Sequence, residues 1–555
     1  MRMYLRTLNK LCNFELKYKG VTCMDYSYIL ENFKAIASYQ KIPIKPITLI
    51  FGPNSSGKSS LIHSLLLANE AINTGELDIN RTKVGGDSVD IGGFHQYIYG
   101  RDINRKVRWG IESEVEKLPK RLKEILSDVN IIRMEVVFGL NHHLQNNYEE
   151  KPSVLEYLIY TDDEELIELK KNKKGQLKVK KIYEENQVIH RFIENIVNEN
   201  TTTTNLTDDD IINLKITIQK LRKSLQVHAG SFLPEKITCY EETDNSPFFY
   251  PISKGKRQDD LSKAVSLILP WIISELVSQI NEWIENEVNK LQYLGPLRSY
   301  PPRHFTLLDQ SDSNKMANGS YTWEVLRKNK NVRDAVNRWL GADNRLKTPY
   351  QLIVRDLIDM QQLSTSLNEY LNNRDFHDNE AKEFQDLESI IKLNGIKKLN
   401  EIILLDKRSN TTVSHRDVGI GISQILPVLV STYASIQKNI AIEQPELHLH
   451  PALQAELGDV FIEAALGERK NTFILETHSE HLILRIMRRI RETTANKKPE
   501  TLPSITPEDV SILYVEPLNN NQGSIIRVLE LDDDGELLDE WPGGFFEEGF
   551  RERFS

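Results

Sequence analysis

Residues 42–51 form an apolar run that enters a glycine-containing loop, and residues 61–68 beyond it repeat their apolar side chains at helical spacing. The pattern predicts a strand, a loop and a helix. Far along the chain, residues 439–442, 472–475 and 510–515 are short apolar runs bounded by polar turns, as parallel strands covered on both faces require. Between these ends the texture changes. Residues 107–114, 132–139, 155–160 and 166–182 alternate apolar with polar or carry β-branched and aromatic side chains, which predicts an antiparallel lobe. Residues 211–225 and 261–291 read as helices, the second amphipathic despite Pro270 and ending before Gly295-Pro296. The threonine run 201–205 reads as a loop, and the lack of a repeat period or sustained heptads excludes a long coiled-coil arm.

Length and charge narrow the picture. A chain of 555 residues can hold two or three domains, each with its own core. A net charge of -10 excludes a protein that coats nucleic acid over its whole surface. Two local basic clusters remain, one of Lys170, Lys171, Lys173, Lys174, Lys178, Lys180 and Lys181, the other of Arg485, Arg488, Arg489 and Arg491, and both read as solvated faces. Cys12, Cys23 and Cys239 are scattered without metal spacing, so neither a disulfide framework nor a zinc site is expected. Residues 1–20 lack the apolar core of a signal peptide, and the apolar stretches 265–277 and 425–430 fall short of the roughly 18 to 20 residues a membrane span needs. The expectation is a cytoplasmic protein without a membrane segment.

The chemistry starts in the glycine loop. Gly52-Pro-Asn54-Ser55-Ser56-Gly57-Lys58-Ser59-Ser60 matches GxxxxGK[ST] in a strand-to-helix context. Glycines let the N–H groups turn inward around phosphates, Lys58 neutralises β/γ charge and the Ser59 hydroxyl binds magnesium, so Asn54 through Ser60 are the expected ATP contacts. The apolar run 439–442 ends in Glu443, where a carboxylate at a strand's C-terminal end can reach the Mg²⁺ shell beside that loop. His448 and His450 follow as an HxH pair without a third ligand, which reads as loop packing. The acidic tail around Asp532 reads as a solvated turn rather than a calcium loop.

Asp417-Val-Gly419-Ile-Gly421-Ile-Ser423-Gln424, just before an apolar helix, resembles the signature loop of ABC-type ATPases. That resemblance implies that Gly421, Ser423 and Gln424 of one subunit close on the γ-phosphate held by another, making a homodimer the minimum assembly. Thr472-Phe-Ile-Leu-Glu476-Thr477-His478-Ser479 likewise resembles the strand and switch histidine of the superfamily, which assigns His478 to catalysis. Gln96 is the candidate Q-loop glutamine, grouped with Ser59 and Glu443 around the metal. In most relatives an aspartate for magnesium precedes a glutamate that polarises water, whereas here the pair is Glu443-Gln444. An amide orients water without accepting its proton, and general-base help is commonly worth about 10² to 10⁴ in rate. Either Gln444 makes hydrolysis slow and the ATP-bound clamp long-lived, or Glu446 acts as the base.

About 360 residues separate the glycine loop from the signature, far more than in transporter ATPases, which leaves room for inserted lobes. Tyr293-Leu-Gly-Pro-Leu-Arg298, the Glu-Gln-Pro-Glu segment, the signature and the tail Trp541-Pro-Gly-Gly-Phe-Phe546-Glu resemble bacterial ABC/SMC-like AAA-type ATPases of anti-phage systems, the PtuA-like subunits of Septu and retron defence. The resemblance implies an α/β fold: a P-loop NTPase head of ABC type with a mixed sheet flanked by helices, an antiparallel β lobe and a largely helical insertion. It also implies an HNH-type (PtuB-like) nuclease partner, joined in retron versions by a reverse transcriptase and its msDNA. Expected boundaries are 1–100 for the first half of the head, 101–190 for the β lobe, 191–400 for the helical insertion and 401–555 for the second half of the head. The competing reading is a repair-type ATPase that clamps DNA directly through the basic clusters.

Overall fold

Pro46 breaks the first apolar run. A proline cannot donate to a sheet ladder, and the computed structural model divides residues 42–51 between two strands of different sheets, Gln40–Ile44 and Ile47–Phe51. Between them the Lys45 amide donates to Thr48 Oγ1 at 3.0 Å. The structure describes residues 26–141, 151–200, 208–228, 232–239, 257–299, 313–342, 345–358, 398–414, 418–518 and 522–542; the threonine run at 201–205, Asp417 and the tail beyond Pro542 lie outside them.

Six strands form the head sheet, in the order Leu291–Leu294, Asn439–Glu443, Thr472–Glu476, Ile47–Phe51, Val510–Pro517, Ser524–Leu529. The first five run parallel and the last is antiparallel. Every residue of Ile47–Phe51, Asn439–Glu443 and Thr472–Glu476 is buried, which is why these runs are apolar throughout rather than alternating. The sheet separates two cores. Ile47, Leu49 and Phe51 point into one core, shared with Ile425, Leu429, Val460 and Ile483 of the C-terminal helices. Ile50 points into the other, shared with Leu61 and Leu65 of the helix Ser59–Thr74 and with the antiparallel lobe. Charge-free burial of a large aliphatic side chain contributes about 1.5–3 kcal/mol, so each face of the sheet is strongly held.

The antiparallel lobe has seven strands, ordered Gln40–Ile44, Tyr26–Glu31, Val107–Glu114, Ile131–Gly139, Ser153–Thr161, Glu164–Lys171, Leu177–Ile182. Its first two strands come from the segment 1–100 and the edge strand Leu291–Leu294 of the head comes from 191–400, so the expected boundaries cut across both sheets. Among the described residues of 191–400, Tyr350–Ile358 pairs with Lys398–Asp406 in a three-stranded sheet that accompanies the helices.

Helix Arg257–Val288 joins the lobe to the head. Within it Ala264–Val288 is long and apolar enough to cross a membrane by length and composition, a correction to the expectation that no such segment exists. Its Val265, Leu269, Ile273, Leu276, Ile280 and Ile284 are core residues. Tyr157 Oη donates to Asn281 Oδ1 at 2.7 Å, fastening the helix to the lobe.

Candidate functional site

The loop between strand Ile47–Phe51 and helix Ser59–Thr74 is shaped by backbone that side chains resist. Gly52 and Gly57 hold φ of +146° and +96°, and Ser55 holds +60°. A Cβ on Gly52 would lie 2.5 Å from the Val515 carbonyl oxygen, and one on Gly57 would lie 2.3 Å from Ala35 Cβ. Ser524 braces the loop from behind, its hydroxyl donating to Ser56 O at 2.6 Å and its amide to Ala35 O at 2.8 Å. Asn54 and Ser55 stand exposed at the tip, while Ser56 and Ser60 are buried. The Ser56 hydroxyl has no hydrogen-bond partner among the described residues. Lys58 donates to the loop's own carbonyls, Gly52 O at 3.1 Å and Pro53 O at 2.9 Å, and burial lowers its proton affinity.

Parallel pairing brings two acids beside this loop. Glu443 and Glu476 are register partners at the C-terminal ends of adjacent strands, and Glu476 is paired in turn with Ile50. Glu476 Oε2 accepts a 2.7 Å hydrogen bond from Ser59 Oγ. Burial, then the nearby Glu443 charge, push the Glu476 carboxyl up to about 7. Glu443 Oε1 accepts from Tyr293 Oη at 3.0 Å and lies 3.6 Å from His63 Nε2. Lys34 Nζ is 2.6 Å from His63 Nδ1. An ammonium only donates, so Nδ1 accepts and the Nε2 proton faces Glu443.

Gln444 begins the turn after Glu443 with φ +46°, its amide bonded to Glu476 O at 2.7 Å. Glu446 is buried and held through both oxygens, Oε2 by the Thr477 hydroxyl and Oε1 by the His478 amide, each at 2.8 Å. Burial raises its pKa. His478 is half-buried, and burial followed by the Lys58 charge lowers its pKa. Thus Ser59, Glu443, Gln444, Glu446 and His478 gather around Lys58 and Glu476.

Other expected residues lie elsewhere. Ser423 and Gln424 are buried on the helix Ile420–Ala434, and the Gln424 amide donates to Arg298 O at 3.2 Å. Gly421 brings that helix against the loop after Glu443, since a Cβ there would sit 3.0 Å from His448 O. Gln96 is exposed on the four-residue helix Phe94–Tyr97, and no described hydrogen bond joins its side chain to the carboxylates. His450 Nδ1 caps the helix Pro451–Leu466 by accepting from Ala452 N at 3.3 Å, and the tail turn closes on Asp532 Oδ1 through the amides of Asp534 and Glu536.

Sequence reasoning missed five neighbours of the site. Glu476 ends its apolar run as Glu443 ends its own, a signal that was present. Tyr293 and Arg298 stood inside a motif read only as a family mark. Lys34 and His63 carried no signal, because only folding brings a turn and a helix to Glu443.

Among the described residues no three His, Cys, Asp or Glu side chains form a ready metal cluster. That suits magnesium, which is bound by one or two carboxylates and substrate phosphates while keeping several waters. The oxygens of Ser59, Glu443 and Glu476, beside a glycine cradle and a lysine, fit a nucleotide with its magnesium.

Among solved structures, an SMC head bound to the C-winged helix domain of ScpA matches at 9% identity and TM-score 0.33, over 92% of this chain and 98% of that one. The SMC head domain from Thermotoga maritima matches at 10% identity and TM-score 0.32, over 92% and 100%. An SMC head with an extended coiled coil, bound to the C-terminal domain of ScpA derived from Pyrococcus furiosus, matches at 10% identity and TM-score 0.33, over 91% and 96%. Among curated proteins, the valine-tRNA ligase of Saccharolobus solfataricus is 24% identical over 203 residues, 35% of this chain. The chain spans 23% of that ligase, an overlap too short to carry an activity across. A family model described as a protein of unknown function (DUF3696) matches residues 505–552. The model of the AAA ATPase domain matches residues 26–483, most of the chain and every element of the site, and the chain belongs to that family.

Proposed function

We propose that the chain is an ATP-binding, slowly hydrolysing ABC/SMC-like ATPase, working as a homodimer or higher oligomer within an anti-phage defence complex. The observation that carries the ATPase reading is the convergence of Lys58, Ser59, Glu443 and Glu476 at the mouth of one glycine loop. Magnesium held by Ser59, Glu443 and Glu476 would neutralise charge on the β- and γ-phosphate oxygens. The loop amides and Lys58 bind and orient the triphosphate, and His478 stands where it can face the terminal phosphate.

Slow turnover follows from Gln444. Its carboxamide orients water and takes no proton, and the loss of a general base costs about 10² to 10⁴ in rate. Glu446 is the rival base, yet both of its oxygens already fasten the turn to Thr477 and His478. That geometry favours a strut over a proton acceptor. Gln444→Glu is therefore expected to raise steady-state ATPase at least about tenfold. An unchanged rate in Gln444→Glu, with activity abolished in Glu446→Ala, overturns the slow-clamp reading.

Support for the defence role is the joint resemblance of Tyr293 to Arg298, Glu443 to Glu446, the signature and the Trp541 tail to PtuA-like subunits. In this reading the nucleotide state holds an HNH-type nuclease inactive until infection, and retron versions add a reverse transcriptase and msDNA. Expression with the neighbouring genes tests it. Co-purification of a nuclease is expected, whereas a homodimer alone with strong DNA affinity returns the reading to a DNA clamp.

A further inference from the structure

The motif Tyr293 to Arg298 has a structural use that the ATPase reading leaves unassigned. Arg298 is 5% exposed although its neighbour Leu297 is 80% exposed, so the guanidinium is turned inward from a surface loop. It donates to three main-chain carbonyls, Gln424 O at 3.3 Å, Glu443 O at 3.1 Å and Gln444 O at 2.9 Å. Gln424 answers from the other side, its amide donating to Arg298 O at 3.2 Å. One of those carbonyls belongs to Glu443 itself, the second to Gln444 at the start of the turn after it, and the third follows Ser423 on the helix Ile420–Ala434.

Independent features converge on the same junction. Gln444 is in left-handed backbone at φ +46°, and it persists because its amide is bonded to Glu476 O and its carbonyl to Arg298. Gly421 lets the signature helix approach His448 O closely enough that a Cβ would be at 3.0 Å. Burial lowers the guanidinium pKa to about 10, and its opposing charge is the Glu446 carboxylate, which fixes the next part of the same turn. A planar fork is the side chain suited to holding several carbonyls at once, since lysine presents a point charge instead.

We propose that Arg298 is a positioning residue that latches the Glu443-Gln444 turn to the helix bearing Ser423, so that both move as one body. The consequence rests on the composite-dimer reading above. In a dimer the turn faces the chain's own ATP while the helix faces the partner's, so the latch makes closure at one site report on the other.

The test uses the full chain with Arg298→Lys, Gln424→Ala and the double variant. Lysine keeps the charge and loses the fork; Gln424→Ala removes one bond from the other side of the junction, so it keeps the question answerable should Arg298→Lys fold poorly. A fluorescent ATP analogue is expected to bind Arg298→Lys within about threefold of wild type, because the glycine loop is untouched. ATP-dependent dimerisation, followed by sedimentation, is expected to weaken at least about tenfold in each single variant, and no further in the double, since coupled residues are non-additive. General destabilisation would instead lower ATP affinity in step with Tm. Single variants that dimerise like wild type, or losses that multiply in the double, overturn the latch. A wild-type chain that binds ATP without dimerising removes the composite-site reading itself, and the latch with it.

Discussion

Ser59 Oγ and Glu476 Oε2 are joined by a 2.7 Å hydrogen bond, which ties the first turn of the glycine-loop helix to the end of the neighbouring strand. Glu476 pairs in register with Glu443, so two carboxylates are held side by side, and burial with the neighbouring charge penalises ionised Glu476. A dication relieves that penalty. Glu476→Gln is accordingly expected to weaken Mn²⁺ binding in the presence of a non-hydrolysable ATP analogue by at least about tenfold, while metal-free nucleotide binding changes less. Electron paramagnetic resonance titration of Mn²⁺ reads this directly. Unchanged Mn²⁺ affinity would reduce Glu476 to a helix anchor.

Lys34, which reaches the Glu443 side of the site through His63, supplies a pH test. The turn Asn32 to Lys34 is left-handed at Lys34, φ +48°, and burial lowers the ammonium pKa to about 8. In the unfolded chain the same group keeps its proton to about 10.5. Between those values the unfolded state binds more protons, so the lysine's contribution to stability rises with pH from about 8 to 10.5 and its penalty is full below 8. The stability of nucleotide-free wild type minus that of Lys34→Met is expected to climb on the order of 2 kcal/mol from pH 7.5 to 10. Denaturant unfolding at a series of pH values checks it, and a flat difference would mean that Lys34 titrates normally.

The contrast between what was legible and what was not has a physical cause. Buried parallel strands and the glycine loop declare themselves because their environment forbids polar or bulky residues locally, as at Gly52 and along Ile47–Phe51. Glu443 was legible for the same reason, as an acid ending an apolar strand. The single run 42–51 misled because apolar character does not say which sheet a residue joins, and of its two prolines Pro43 lies within the edge strand Gln40–Ile44 while Pro46 marks the break. Arg298 and His63 were not legible as site residues, since their partners lie 145 and 380 positions away in sequence and meet them only through the sheet order.

The arginine cluster, read as a solvated face, departs from that reading at two of its four residues, Arg485 and Arg489, whose side chains are mostly buried. Arg485 and Arg489 converge on Asp459, at 2.8 Å and 2.6 Å, and that aspartate is 2% exposed. Arg488 is paired with Glu492 at 2.7 Å, and Arg491 with Glu536. Asp459→Ala is expected to destabilise by about 1.5–3 kcal/mol, because two partly buried guanidinium groups each lose one carboxylate and keep another, Glu456 for Arg485 and Glu492 for Arg489. Arg488→Ala should leave any DNA affinity and its salt slope unchanged. A slope smaller by about one would return this helix to a phosphate contact.

Gly57 tests the cradle itself. Its φ of +96° and the 2.3 Å approach of an added Cβ to Ala35 are separate obstacles to any side chain. The first is backbone strain and the second is a collision with a turn that Ser524 pins in place through Ala35 O. Gly57→Ala is expected to abolish ATP binding, by calorimetry, while the chain stays folded. Adding Ala35→Gly removes the collision and leaves the strain, which for a non-glycine residue at positive φ is roughly 1–2 kcal/mol. The double variant should therefore bind ATP again, still about 5- to 30-fold weaker than wild type. Full recovery would show that φ costs nothing there, and no recovery would show that Ala35 is not what the loop rests against.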